Sequence, residues 1–181
     1  LQVAGVQDFG CRALINVCAG EDAAGRARKQ RAAEAGVIEA VVDAMRAHPQ
    51  VSGVQDFGCR ALINVCAGGD AAGRARKQRA VDARAFEAVV EAMRVHPQVA
   101  GVQEQACLVL GNVCFGNDAA WRAPAQRAAD AGAIEAVVEA MRAHPREEEV
   151  QRLGCRALTN VCHGDDAAGL ARKQRAADAG A

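Results

Sequence analysis

The apolar positions of this chain fall three and four residues apart, and nowhere do they alternate with a period of two. In "VIEAVVDAMRAH" (37–48), Ile38, Val41, Val42 and Met45 recur at helical spacing. The following His48-Pro49 closes that run, because the residue before a proline disfavours the α region. Upstream, "DAAGRARKQRAAEAG" (22–36) opens on Asp22, a good N-cap, and ends near Gly36. The segment "VQDFGCRALINVC" (6–18) reads as a further helix, with Gly20 as its left-handed cap. The pattern predicts helices throughout and no strands.

These helices repeat on one clock. The run "GVQDFGCRALINVCAG" at 5–20 returns letter for letter at 53–68. A step of 48 residues links Val6, Val54, Val102 and Val150, and likewise Asn16, Asn64, Asn112 and Asn160. The same step links Gly20, Gly68, Gly116 and Gly164; Asp22, Asp70, Asp118 and Asp166; and Pro49, Pro97 and Pro145. Units that cannot bury their apolar faces alone do so by stacking, so a fixed period of this length predicts an α-solenoid. The expected divisions are 1–20 (the third helix of a truncated repeat), 21–68, 69–116 and 117–164 (complete repeats), and 165–181 (the first helix of another). Neither end carries an obvious polar capping repeat, and the chain reads as an interior piece of a longer array.

On a helical wheel started at Val6, the residues Val6, Gly10, Ala13, Leu14 and Val17 share one broad face, the predicted core face. Asp8, Arg12 and Asn16 stand off that face at i, i+4 and i+8, with Ile15 beside them. The arginine inside the apolar run is therefore expected on an outer stripe.

"VQDFGCRALINVC", taken with "AGAIEAVVEAMRAHP" (131–145), resembles the armadillo repeat. The likeness covers nearly the whole chain. It implies an all-α fold, a right-handed superhelix of three-helix repeats whose third helices line a concave groove. It also implies a ladder of candidate partner-binding residues: Arg12 with Asn16, Arg60 with Asn64, Leu108 with Asn112, and Arg156 with Asn160. An amide side chain both donates and accepts, so a row of them suits the backbone of an extended peptide. A guanidinium adds a fork that fits carboxylate or phosphate. The opposing reading has the Asn bracing its neighbour repeat and the Arg merely solvated.

Several residues depart from the armadillo pattern. The period is longer than the family's, Glu39, Glu87 and Glu135 stand at its second-helix proline, and the tryptophan of peptide-binding members is replaced by Arg12, Arg60, Leu108 and Arg156. Arg84 replaces the corner glycine found at Gly36, Gly132 and Gly180, so that corner is expected to distort. The third repeat differs most: Leu108, Gly111, Phe115 and Trp121 replace Arg, Ile, Ala and Gly, and Pro124 interrupts "ARKQ". The Trp is expected to pack into a gap, the opposing reading being an exposed contact point.

Composition narrows the function. With 3% aromatic residues and no Tyr, the core must be built from Ala, Val, Leu and Gly. The 22 basic and 22 acidic residues cancel, which argues against a dedicated polyanion binder. The runs "GRARKQR" (25–31 and 73–79) and "GLARKQR" (169–175) are flanked by acids and carry no interleaved aromatics, so they read as solvated helix faces rather than a nucleic-acid stripe. The eight cysteines fall in pairs seven residues apart. That is roughly 10.5 Å along a helix, too far to bridge. They read as small reduced core residues in a reducing intracellular compartment, cytoplasm or nucleus.

His48, His96 and His144 sit at helix C-termini and suit cations there. No compact zinc spacing and no phosphate-binding glycine motif occurs, so no metal or cofactor is implied. Ser52 is the one serine, and no acid–base–nucleophile set can be assembled. No apolar run reaches membrane-spanning length, and "LQVAG" does not read as a signal peptide. The expected function is a non-enzymatic scaffold that binds a protein or peptide, an extended or acidic segment, in its groove. The alternative is a structural or linker subunit of a large complex.

Overall fold

The computed structural model describes residues 3–116 and 121–181. Asp118, expected as an N-cap, lies outside the described residues. Among those residues the chain is all α-helix: α1 (Ala4–Val17), α2 (Ala23–Glu34), α3 (Val37–Ala47), α4 (Ser52–Val65), α5 (Ala71–Asp82), α6 (Ala85–Val95), α7 (Ala100–Val113), α8 (Arg122–Asp130), α9 (Ala133–Ala143), α10 (Glu148–Val161) and α11 (Ala167–Ala179). Helices of one register stack in rows. The row α1, α4, α7, α10 is the most closely packed; α3, α6, α9 form a second row and α2, α5, α8, α11 a looser third.

Side chains end these helices as their chemistry requires. The Asp22, Asp70 and Asp166 carboxylates accept the backbone N–H of Gly25, Gly73 and Gly169 at 2.7, 2.7 and 2.8 Å. At the C-terminal end of the second-row helices a glutamine takes over, buried at Gln55 and Gln103 and half-buried at Gln151. The Gln55 amide donates to the carbonyls of Met45 and His48, Gln103 to Met93 and His96, and Gln151 to Met141 and His144. The recurrent "VQ" is thus a C-cap for the preceding helix, satisfying carbonyls a helix end leaves open. The glycines that follow α1 and α4 act differently from expectation. Helix α1 stops at Val17 and α4 at Val65, while Gly20 and Gly68, at φ 93° and 120°, turn the loop beyond them toward the next N-cap.

The predicted core face is realised in α4, where Val54, Gly58, Ala61, Leu62 and Val65 are all buried. In α1 it is not: Val6 and Val17 are 54% and 49% exposed, Gly10 and Ala13 are exposed, and Leu14 is half-buried. In α4 these positions rest on α2 and α3, and α1 has no such support. Burial is therefore a property of the stack and not of the helix alone.

The corner at Arg84 keeps the form of its glycine counterparts. Gly36, Gly132 and Gly180 have φ of 83°, 90° and 84°, and Arg84 adopts φ 61° and ψ 41°. The expected distortion is absent because the corner is over-determined: α6 packs firmly below it, and the Arg84 carbonyl accepts from Arg46 Nη2 at 3.1 Å. What remains is left-handed strain on a residue with a Cβ, about 1 kcal/mol. Arg84→Gly is expected to raise stability by about that amount, partly offset by the freer unfolded chain. A lower urea midpoint in the variant would contradict this.

Candidate interaction surface

The closely packed row α1, α4, α7, α10 carries every residue of the predicted ladder. Arg12 and Arg60 stand off the core, their side chains 50% and 45% exposed, each with Nε 3.1 Å from the acid one turn earlier, Asp8 and Asp56. Each arginine also lies near phenylalanine. The Arg12 guanidinium carbon is 4.0 Å from the Phe57 ring centre and 5.7 Å from that of Phe9; Arg60 is 5.8 Å from Phe57. Phe9 is 70% exposed and Phe57 is half-buried. The result is a stack that runs across two rungs, Phe9, Arg12, Phe57, Arg60, with favourable contact between each cation and a ring face. Sequence reasoning passed over the phenylalanines, although their identical register in the two copies was the available signal.

The asparagines serve the row itself. Asn64 Nδ2 donates to the Ile15 carbonyl at 3.0 Å, and Asn160 Nδ2 to the Gly111 carbonyl at 2.8 Å. Asn112 Oδ1 accepts from Arg156 Nη2. Each of these bonds joins a rung to its neighbour, so those amide donors are engaged within the protein. Asn16 is exposed, Leu108 is half-buried against the core, and Arg156 is exposed.

The basic runs of α2, α5 and α11 are not simply solvated faces. Arg76 is 3% exposed, and it donates from Nε to the Val65 carbonyl at 2.7 Å, from Nη2 to the Ala67 carbonyl at 2.7 Å and from Nη1 to Gln30 Oε1 at 3.1 Å. Arg172 repeats this on Val161, His163 and Gln126, and Arg28 on Val17 and Ala19. A cation on the last carbonyls of a helix also meets its negative dipole end. Arg79 and Arg175 pair with Glu39 and Glu135 of the preceding unit, and the bond from Arg79 holds the Glu39 carboxyl below its usual range. The expectation failed because a wheel of one helix cannot show the adjacent helix end that buries one of its polar positions.

The histidines likewise link units. His96 and His144 place Nε2 at 2.7 and 2.8 Å from the carbonyls of Pro49 and Pro97. A carbonyl only accepts, so Nε2 carries the proton.

Trp121 stands at the register of Gly25, Gly73 and Gly169, immediately before α8. The ring lies against Gly116 and under Lys77 Nζ, 4.9 Å from its centre. Lys77 is buried, which lowers its pKa; in the first copy the equivalent Lys29 instead pairs with Glu21 at 2.6 Å. Two cavities of about 290 and 270 Å³ border the Trp121 ring. The acids lining the larger, Asp165 and Asp166, are already engaged by Lys173 and by Arg122 and the Gly169 N–H.

The cysteines are free thiols; Cys155 is exposed and Cys162 half-buried, and the other six are buried. Burial pushes Cys66, Cys107 and Cys114 up to about 12 and Cys11 to about 11. The thiolate is the nucleophile, so these thiols stay protonated and inert at pH 8. Iodoacetamide at that pH is expected to label Cys155 well before the buried six, as peptide mass mapping would show; prior labelling of Cys59 or Cys107 would contradict the burial.

Among the described residues, no cluster of three His, Cys, Asp or Glu side chains is placed to hold a metal, and no helix is long and apolar enough to cross a membrane. Comparison with protein-family models, with curated proteins and with solved structures finds no match.

Proposed function

We propose that this chain is an array of armadillo-type repeats, wound as a right-handed solenoid, and that it acts as a non-enzymatic scaffold binding an extended peptide segment along α1, α4, α7 and α10. One observation carries the reading: the exposed stack of Phe9, Arg12, Phe57 and Arg60. Many other periodic polar groups, Gln55, Arg76, Arg79 and His96 among them, are engaged in caps and bonds between units. The stack is a regular, solvent-facing combination of aromatic and arginine side chains, the residue types enriched at binding hot spots. The placement draws support from the packing too: successive units meet most extensively along this row, which suits the inner side of a bent stack.

The test is a selection of binders from a random twelve-residue peptide library on the folded chain. Arg12→Ala with Arg60→Ala is expected to weaken the selected peptides about tenfold, the worth of two exposed cation contacts. Unchanged affinity, with helical content retained, would remove the row as the working surface.

A second reading, a structural subunit of a larger assembly, draws on the exposed Val3, Val6 and Val17 of the α1 region. Sedimentation of the purified chain separates the two: a stable monomer that selects peptides favours the scaffold.

A further inference from the structure

The stack on α1 and α4 is regular up to Arg60 and then loses its next ring. Arg12 of one rung lies flat over Phe57 of the next, guanidinium carbon to ring centre 4.0 Å. The same step from Arg60 leads to residue 105, which is Gln105. Among the described residues, the ring beside Arg60 is the Phe57 of its own helix, with its centre 5.8 Å from the guanidinium carbon. Its Nε–H is bonded to Asp56 Oδ1 at 3.2 Å. The side chain is 45% exposed.

A guanidinium uses its edge for in-plane hydrogen bonds and its face for stacking. Arg12 has an acid at Nε and a ring of the next rung over its guanidinium, whereas Arg60 has the acid and the next rung brings it Gln105 in place of a ring. We propose that Arg60 is a recognition site for an aromatic side chain of the bound peptide, which takes the place that Phe57 takes over Arg12. The site rests on the scaffold reading above and adds to it a chemical preference at one rung. A nucleobase has a π-face as well, but its phosphate backbone would run beside Asp56 and Asp8, and Arg76 and Arg79 are engaged internally. A peptide carries no such penalty. The molecule shows the expected geometry in its own Arg12–Phe57 pair, and it shows the competitor too: a phenylalanine at 105 would complete the stack from within.

The experiment uses the strongest peptide from the twelve-residue library and measures its dissociation constant by fluorescence anisotropy. Each aromatic residue of the peptide is changed in turn to leucine, and each version is titrated against the wild-type chain, Arg60→Leu and Gln105→Phe. On the wild type one aromatic-to-leucine change is expected to weaken binding about two- to fivefold, the worth of one exposed cation–π contact. On Arg60→Leu and on Gln105→Phe the same change is expected to have no effect. The Arg60 Hε resonance should also move upfield when the aromatic peptide binds and stay in place with its leucine version. An aromatic effect that persists in Gln105→Phe places the ring elsewhere and overturns the proposal while leaving the scaffold reading intact. A selection that returns no binder sensitive to Arg12 and Arg60 overturns both. Upfield movement of Hε with a single-stranded thymidine dodecamer, and none with the peptide, would assign the site to a base and overturn the peptide assignment.

Discussion

Arg76→Ala is expected to cost about 3–4 kcal/mol, since hydrogen bonds from a charged group are worth about 1.5–3 kcal/mol each but do not add in full. Arg76 is 3% exposed and donates to three acceptors at 2.7, 2.7 and 3.1 Å. Two of these are carbonyls at the end of α4 and just beyond it, and the third belongs to Gln30 on α2. Alanine would leave carbonyls buried without a donor and would loosen α5 from both neighbours. Arg76→Lys should recover only part of the loss, because an ammonium cannot span three acceptors as a planar fork does. The exposed Arg74, whose one bond is to the Gly69 carbonyl at 2.9 Å, is the control. Its replacement by alanine is expected to stay within about 0.5 kcal/mol. Urea midpoints at unchanged slope read both effects. Equal midpoints for the two variants would show that the buried fork contributes nothing.

Gly73→Ala is expected to cost about 2–3 kcal/mol, in the range of an overpacked site that cannot relax. A methyl group there would lie on the Gly68 carbonyl, 2.6 Å from its carbon. Both sides of the clash are backbone, so no side chain can rotate away. The loop would have to move, and with it the Asp70 cap on the Gly73 N–H. Gly69→Ala is the internal control, because a methyl on Gly69 meets nothing within 4 Å. It should be neutral or slightly stabilising. The chain already contains the harsher replacement, Trp121 in the register of Gly73. There the arginine fork is replaced by the buried Pro124, in the first turn of α8, where proline is tolerated because no N–H is required. If Gly73→Ala and Gly69→Ala have the same midpoint, the close approach does not constrain the loop.

The units contrast in how visible their parts were. The caps Asp22, Asp70 and Asp166 were readable because their partners lie three residues ahead in the chain. The Gln55 and Arg76 caps were not, because their acceptors lie on other helices, 7 to 11 residues away through a turn whose geometry depends on packing. The rung bond from Asn64 to Ile15 spans 49 residues and exists only once α1 and α4 are side by side. The same holds for Arg12 over Phe57, a contact between two copies of one motif.

The amino-acid sequence by itself determined the all-helical character, the 48-residue register and the outward stripe of Arg12 and Arg60, since each follows from local spacing. Tertiary structure alone decided which polar side chains in that register are consumed between units and which face solvent. Burial and hydrogen bonding there depend on the neighbouring unit, and one period of the sequence holds only half of each such contact.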